Sequence, residues 1–149
     1  MSILRAFRDH IIAAADVGAL VVARVYPDHA PTSAARPYIV LTQVPSTTRV
    51  RHFGGPGRLA TTTIQVEAYD DHAAAAEVLG TLIRLLIDGL KGFMGKQAVN
   101  VRGTFVTGPD GRHSRPVDGA QVGAHVQVLE VEFHYYELVP HRSVQAIGP

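Results

Sequence analysis

Apolar and polar positions recur along the chain with two different periods, and the switch between them divides it into elements. Over residues 3–15, Leu4, Phe7, Ile11 and Ala15 repeat at steps of three and four, with Ile3 and Ile12 widening the stripe. That spacing predicts an amphipathic helix, with Ser2 as N-cap and Gly18 just past its end. Residues 21–26 read as a short strand closed by Pro27, and 28–36, with Pro31 and Ser33, as a surface loop. Residues 38–44 alternate with both faces mostly apolar, which predicts a central strand covered on both sides. In 61–69, Ile64, Val66 and Ala68 alternate with Gln65, Glu67 and Tyr69, the pattern of a half-buried strand. These two strands form an antiparallel pair with a long tip.

The period then returns to that of a helix. Asp70 and Asp71 stop the strand and cap it, and Leu79, Leu82, Ile83, Leu86 and Leu90 make its buried stripe. Val78, Leu85 and Ile87 broaden the stripe, while Arg84 and Asp88 mark the wetter side. Gly92 serves as the stop, with Lys91 at the negative end of the dipole. Residues 99–107 and 125–138 predict two more strands. In the last, the apolar phase slips from Val126 and Val128 to Leu129, Val131, Phe133 and Tyr135, which a β-bulge near Val128 and Leu129 explains. The expected class is α+β, with two helices on one face of a largely antiparallel or mixed sheet. That sheet has four strands, or five with 21–26. One domain spans 1–139, and 140–149 form an extended tail.

Composition narrows the function classes more than it selects one. A chain of 149 residues with 46% hydrophobic and 18% charged residues has the make-up of a folded globular domain. It has no cysteine, so disulfides are excluded, as suits assembly in a reducing cytoplasm. The net charge of +1 gives no bulk attraction to nucleic acid or anionic lipid. The N-terminus lacks the pattern of a targeting signal, and no apolar run approaches the roughly 20 residues of a membrane span, so no membrane partner is expected.

Few residues fall in patterns that carry chemistry. The eight histidines include no HExxH and no carboxylate at ligand spacing, so no metal and no cofactor is expected. Ser114 beside His113 lies in no nucleophile elbow, and adjacent residues of an extended segment point apart. Gly54-Gly55-Pro56-Gly57 lies between two strands, unlike a phosphate-binding loop, and reads as a hairpin tip. No catalytic residue is expected. Two long connections remain, 45–60 with Arg49, Arg51, His52 and Arg58, and 107–124 with Arg112 and Arg115. Connections of this length are often functional, and arginine is enriched where proteins meet. Glu130 and Glu132, on the polar face of the last strand, offer partners for such arginines in a neighbouring subunit.

Several segments resemble one family. RVYPDHAP (24–31) and RPYIVLTQV (36–44) are similar to the opening of tail-completion proteins of tailed bacteriophages. GGPGRLATTTIQVEAYDDHAAAAEVLGTLIRLLIDGLKG (54–92) resembles the middle of that family, and EVEFHYYEL (130–138) its closing strand. The resemblance implies a virion protein of the head–tail junction, assembled in the host cytoplasm. Such a protein forms a homo-oligomeric ring, commonly a hexamer, on the tail tube protein, where it ends tube growth. It offers a surface to the head connector or a head-completion protein, and DNA passes through it without specific binding. An alternative is another neck component, and a small ligand-binding or hydrolytic domain is a more distant one.

Overall fold

The structure is a computed structural model that describes residues 2–31, 33–52, 57–107, 115–116 and 123–138. For 45–52, 57–58, 115–116 and 138 it describes the backbone alone. The elements are α1 (Ile3–Ala13), α2 (Ala15–Val21), β1 (Val25–Pro27), β2 (Tyr38–His52), β3 (Gly57–Asp70), α3 (Ala73–Ile87), β4 (Gly92–Met94), β5 (Val99–Thr107), β6 (Arg115–Pro116) and β7 (His125–Leu138). They build one sheet in the order β1-β2-β3-β7-β5-β4, with β6 paired to β7 beyond the end of β5. Every pairing is antiparallel except that of β1 with β2. The α+β class is as expected, with the helices packed on one face. The element count is not: the described residues hold three helices and seven strands in place of two and four or five.

The added helix comes from a break inside the first periodic stretch. Ser2 caps α1, its Oγ accepting from Arg5 N at 3.3 Å. At Ala14 the backbone turns extended (φ −70°, ψ 132°), and α2 starts over with Val17 and Val21 buried. Gly18 sits inside α2 rather than past α1, because a Cβ there would run into the Ile12 carbonyl oxygen. Its small size lets α2 fold back on α1. Val21 therefore ends a helix, and the expected strand at 21–26 shrinks to β1.

Residues 45–52 are strand and not connection. β2 runs on to His52, pairing Arg49 with Thr61 and Val50 with Ala60 after a register shift between Val44 and Arg49. What remains of the expected tip, 53–56, lies outside the described residues, as do 108–114, 117–122 and the tail at 139–149. In β7 the expected bulge is absent: its register with β3 is continuous from Asp70↔His125 to Gly57↔Leu138. Gln127 simply holds a core-phase position under α3, 4% exposed and against Gly80, while Val126 is buried on the opposite face. The irregularity lies in β5 instead, between Val101 and Gly103.

Helix α3 also ends differently. His72, not an aspartate, is its N-cap, and it makes no side-chain cap bond. Asp70 accepts from Asp71 N at 2.6 Å, and Asp71 binds the Arg36 guanidinium at 2.7 Å. The helix closes at Asp88, and Gly89, with φ +76°, takes the left-handed position expected of Gly92. Thr104 Oγ donates to the Ile87 carbonyl at 2.6 Å, satisfying one of the acceptors that a helix end leaves open.

Between helices and sheet lies the core. Phe7 meets Phe133 edge to face at 4.9 Å, with Ile11, Ile64, Leu79, Ile83 and Val131 fully buried around them. Gly95, with φ +74°, brings the turn after β4 against α1, where a Cβ would lie 2.7 Å from the Ala6 carbonyl oxygen. Gly89 has open space around it.

Three outcomes follow for stability. Phe7→Ala is expected to cost about 3–5 kcal/mol in urea unfolding. Gly95→Ala meets both a positive φ and a backbone clash, whereas Gly89→Ala meets the φ alone. The first is therefore expected to lower the unfolding midpoint well beyond the second, which costs about 1 kcal/mol. His10 on α1 has its Nε2 buried without a hydrogen-bond partner among the described residues, and burial holds its pKa below the ordinary 6.5. Above that pH the ring is neutral in both states. As pH falls through 6.5 the unfolded chain takes up the proton first, so stability drops. His10→Gln is expected to lose less stability than wild type between pH 7.5 and 5.5.

Candidate functional site: the helix-free sheet face and its edges

Because side chains alternate along a strand, the sheet that buries Ile64, Val66, Val131 and Phe133 under the helices must present the intervening residues on its other face. On β7 these are Glu130, Glu132, His134 and Tyr136, and on β3 they include Thr61, Thr63, Gln65 and Glu67. Glu130 and Glu132 are exposed, as expected.

Glu132 is not idle there. Its carboxylate accepts from His134 Nε2 at 2.7 Å, and His134 Nδ1 shares a hydrogen bond with Thr61 Oγ at 3.2 Å. Phe105 stands edge-on to the His134 ring at 5.4 Å and is 60% exposed. Arg102 lies over the ring of Tyr136 at 5.6 Å. Phe105, Tyr136 and Arg102 escaped the sequence reading. Simple alternation from Val99 and Val101 puts Phe105 in the core. The irregularity at Arg102 inverts the phase, so Thr104 is buried and Phe105 turns outward. The adjacent Arg102-Gly103 pair was the available signal.

The far end of the same face is closed by aromatics. Tyr38, 1% exposed, stacks on Tyr69 at 4.8 Å and meets Tyr26 edge-on at 5.9 Å. Burial raises the pKa of the Tyr38 phenol above 10.0. Tyr69 donates to Glu67 at 3.0 Å.

The arginines divide between the two ends. Arg49, Arg51 and His52 belong to β2 and Arg58 to β3, on strand backbone rather than in a loop. Arg58 is opposite His52 on one side and Glu137 on the other. Arg115, in β6, is opposite Val126, which faces Tyr69 and, through it, Tyr38. The two groups therefore sit at opposite ends of the sheet and do not converge. Arg112 lies outside the described residues.

Two open grooves flank the helices, of about 450 Å³ between α1 and β1 and about 390 Å³ between α2 and α3. In the first, Arg8 is committed, its Nε donating to the Val25 carbonyl at 2.8 Å. The second is lined mainly by Ala14, Val17, Leu82, Leu85 and Leu86. Among the described residues no group of three or more His, Asp or Glu is placed to hold a metal ion, and no helix is long and apolar enough to cross a membrane.

A solved chain described as "Virion of native gene transfer agent (GTA) particle" superposes with a TM-score of 0.68 at 17% identity, covering 91% of this chain and 96% of that one. At that identity the likeness establishes a shared fold. No curated protein matches the sequence. The family model described as "Tail completion protein gp17" matches residues 5–115, from α1 to β6. By that match the chain belongs to the phage tail-completion protein gp17 family.

Proposed function

We propose that this tail-completion protein closes as a ring on the end of the tail tube, stops tube growth there, and presents its opposite surface to the head connector or a head-completion protein. The observation that carries this reading is the family match over residues 5–115, which takes in the β2–β3 hairpin and α3. The chain acts by contact, without a cofactor and without catalysis. It works in the virion neck and is assembled in the host cytoplasm.

A ring needs two unlike surfaces on each copy, joined head to tail around a closed rotation, commonly sixfold. The helix-free face supplies an acidic patch at Glu130 and Glu132, and the paired ends of β2 and β3 carry Arg49, Arg51, His52 and Arg58. These residues, with Arg112 and Arg115, are assigned to contacts with the neighbouring subunit or the adjoining disc. The net charge of +1 leaves DNA free to pass without specific binding, since each added phosphate contact would slow transit.

Electron microscopy and native mass spectrometry of the concentrated protein are expected to show rings, and deletion of the gene is expected to release tails of uncontrolled length. Tails of normal length, with the protein recovered on purified heads instead, identify a head-side neck component and overturn the terminator role. Charge reversal probes the contacts. Glu130→Lys with Glu132→Lys is expected to raise the concentration for ring formation roughly ten-fold for each ion pair lost. Adding Arg49→Glu and Arg51→Glu is expected to recover much of that loss.

A further inference from the structure

The two edges of the sheet differ in how they end. At β1 the outward backbone groups are all taken. Val25 N donates to Ala23 O at 2.9 Å, Val25 O accepts from Arg8 Nε at 2.8 Å, and Pro27 has no N–H. Pro27 O accepts from His29 N at 2.7 Å. This is how a protein blunts an edge against further pairing. But β1 covers β2 only from Ile39 to Leu41. Beyond it, no described strand lies beside β2 on the side away from β3. On the opposite edge, β4 covers β5 only from Val99 to Val101, and no described strand lies beside β5 from Arg102 to Thr107 on the side away from β7.

These two uncovered stretches are level with each other. Following the register across the sheet, Thr42 is opposite Gln65, Gln65 opposite Glu130, and Glu130 opposite Thr107. Likewise Arg49 leads through Thr61 and His134 to Gly103. The strands also run in opposite senses, because three successive antiparallel pairings separate β2 from β5.

We propose that the ring forms by sheet extension: β2 of one copy pairs antiparallel with β5 of the next, through residues 42–44 and 49 of β2, on either side of its irregularity at 45–48, and residues 103–107 of β5. The inference rests on the ring reading and specifies its joint. A closed ring has no rise per subunit, so donor and acceptor edges must lie at one height, whereas offset edges generate a helical filament. The level match meets that condition. Main-chain hydrogen bonds supply the affinity, as in other strand additions. The outward ring of Phe105 loses water at the joint. The joint also sets the strand carrying Arg49 and Arg51 two strand spacings, about 10 Å, from the strand carrying Glu130 and Glu132, a gap that arginine and glutamate side chains can span.

The native chain has no cysteine, so a disulfide reports the joint cleanly. Thr42→Cys with Thr107→Cys places two thiols about 14 Å apart within one copy and opposite each other across the joint. Mild oxidation is expected to give a ladder of covalent oligomers ending at the ring size, at a yield at least ten-fold above a Val78→Cys/Leu85→Cys control on the exposed side of α3. Gln43→Pro supplies a second measurement. Ile39 N and Leu41 O turn toward β1, so Gln43, next in that phase, turns its N–H to the uncovered side. Proline there is expected to abolish rings while the circular dichroism spectrum stays unchanged; if the variant unfolds, the disulfide yield decides. Rings that persist in Gln43→Pro, or a disulfide yield no higher than the control in protein that does form rings, overturn the joint and leave the ring standing. Absence of any ring, both in concentrated protein and on isolated particles, overturns both.

Discussion

The pairing of β3 with β7 is the constraint on which the rest of the structure depends. Its register runs unbroken from Asp70↔His125 to Gly57↔Leu138. Every other strand is placed through it, since β2 pairs on one side and β5 and β6 on the other. A one-residue slip would exchange the two faces, sending Ile64, Val66, Leu129 and Val131 to water and Glu130 and Glu132 into the core. The phase of this pair therefore fixes both the core and the exposed face. Phe7 of α1 docks on Phe133, and α3 packs Leu79 and Ile83 over the same layer, so the helices follow the strand phase and do not set it.

Much of this was legible wherever one side of an element is buried. The bounds of β5 and β7 follow from alternation, because a half-buried strand must alternate. The placement of Glu130 and Glu132 followed from the same rule, and the exposed face carries them. The stretches that misled are those where tertiary contact overrides the local pattern. Residues 45–52 carry serine, threonine and arginine with a proline, so nothing in their periodicity separates a strand from a loop; pairing with β3 makes them one. The break at Ala14 was hidden because Val17 and Val21 continue nearly the same apolar spacing through the second helix. Asp70 and Asp71 have the composition of a helix cap, but Arg36, distant in sequence, claims Asp71. Phe105 was lost to a single irregularity that inverts everything after it.

The same physics explains why such a chain shows little catalytic signature and still carries specific function. A site for chemistry gathers polar groups in a cleft, and here the histidine, carboxylate and hydroxyl that do meet, His134, Glu132 and Thr61, lie on an open sheet face. Their bonds hold one another in place and give that face a fixed pattern of charge. On the proposed reading, recognition depends on shape, register and edge, which are properties of backbone more than of motif. Sequence patterns of that kind, such as those at 24–44 and 54–92, identify a family through its fold-shaping residues, and the match over 5–115 is of this sort.

One asymmetry ties the fold to assembly. Sheet edges are hazards in a monomer, and among the described residues only part of the edge is blunted, by Arg8, Pro27 and His29 at β1. Sealing the remaining edges would take little more than longer flanking strands. The short strands β1 and β4 instead stand at opposite ends of the sheet, one against Ile39–Leu41 and the other against Val99–Val101. Among the described residues they leave two windows, beyond Leu41 on β2 and beyond Val101 on β5, at one level. An arrangement that served stability alone would have no reason to match those windows in height, whereas one that must close on copies of itself requires it.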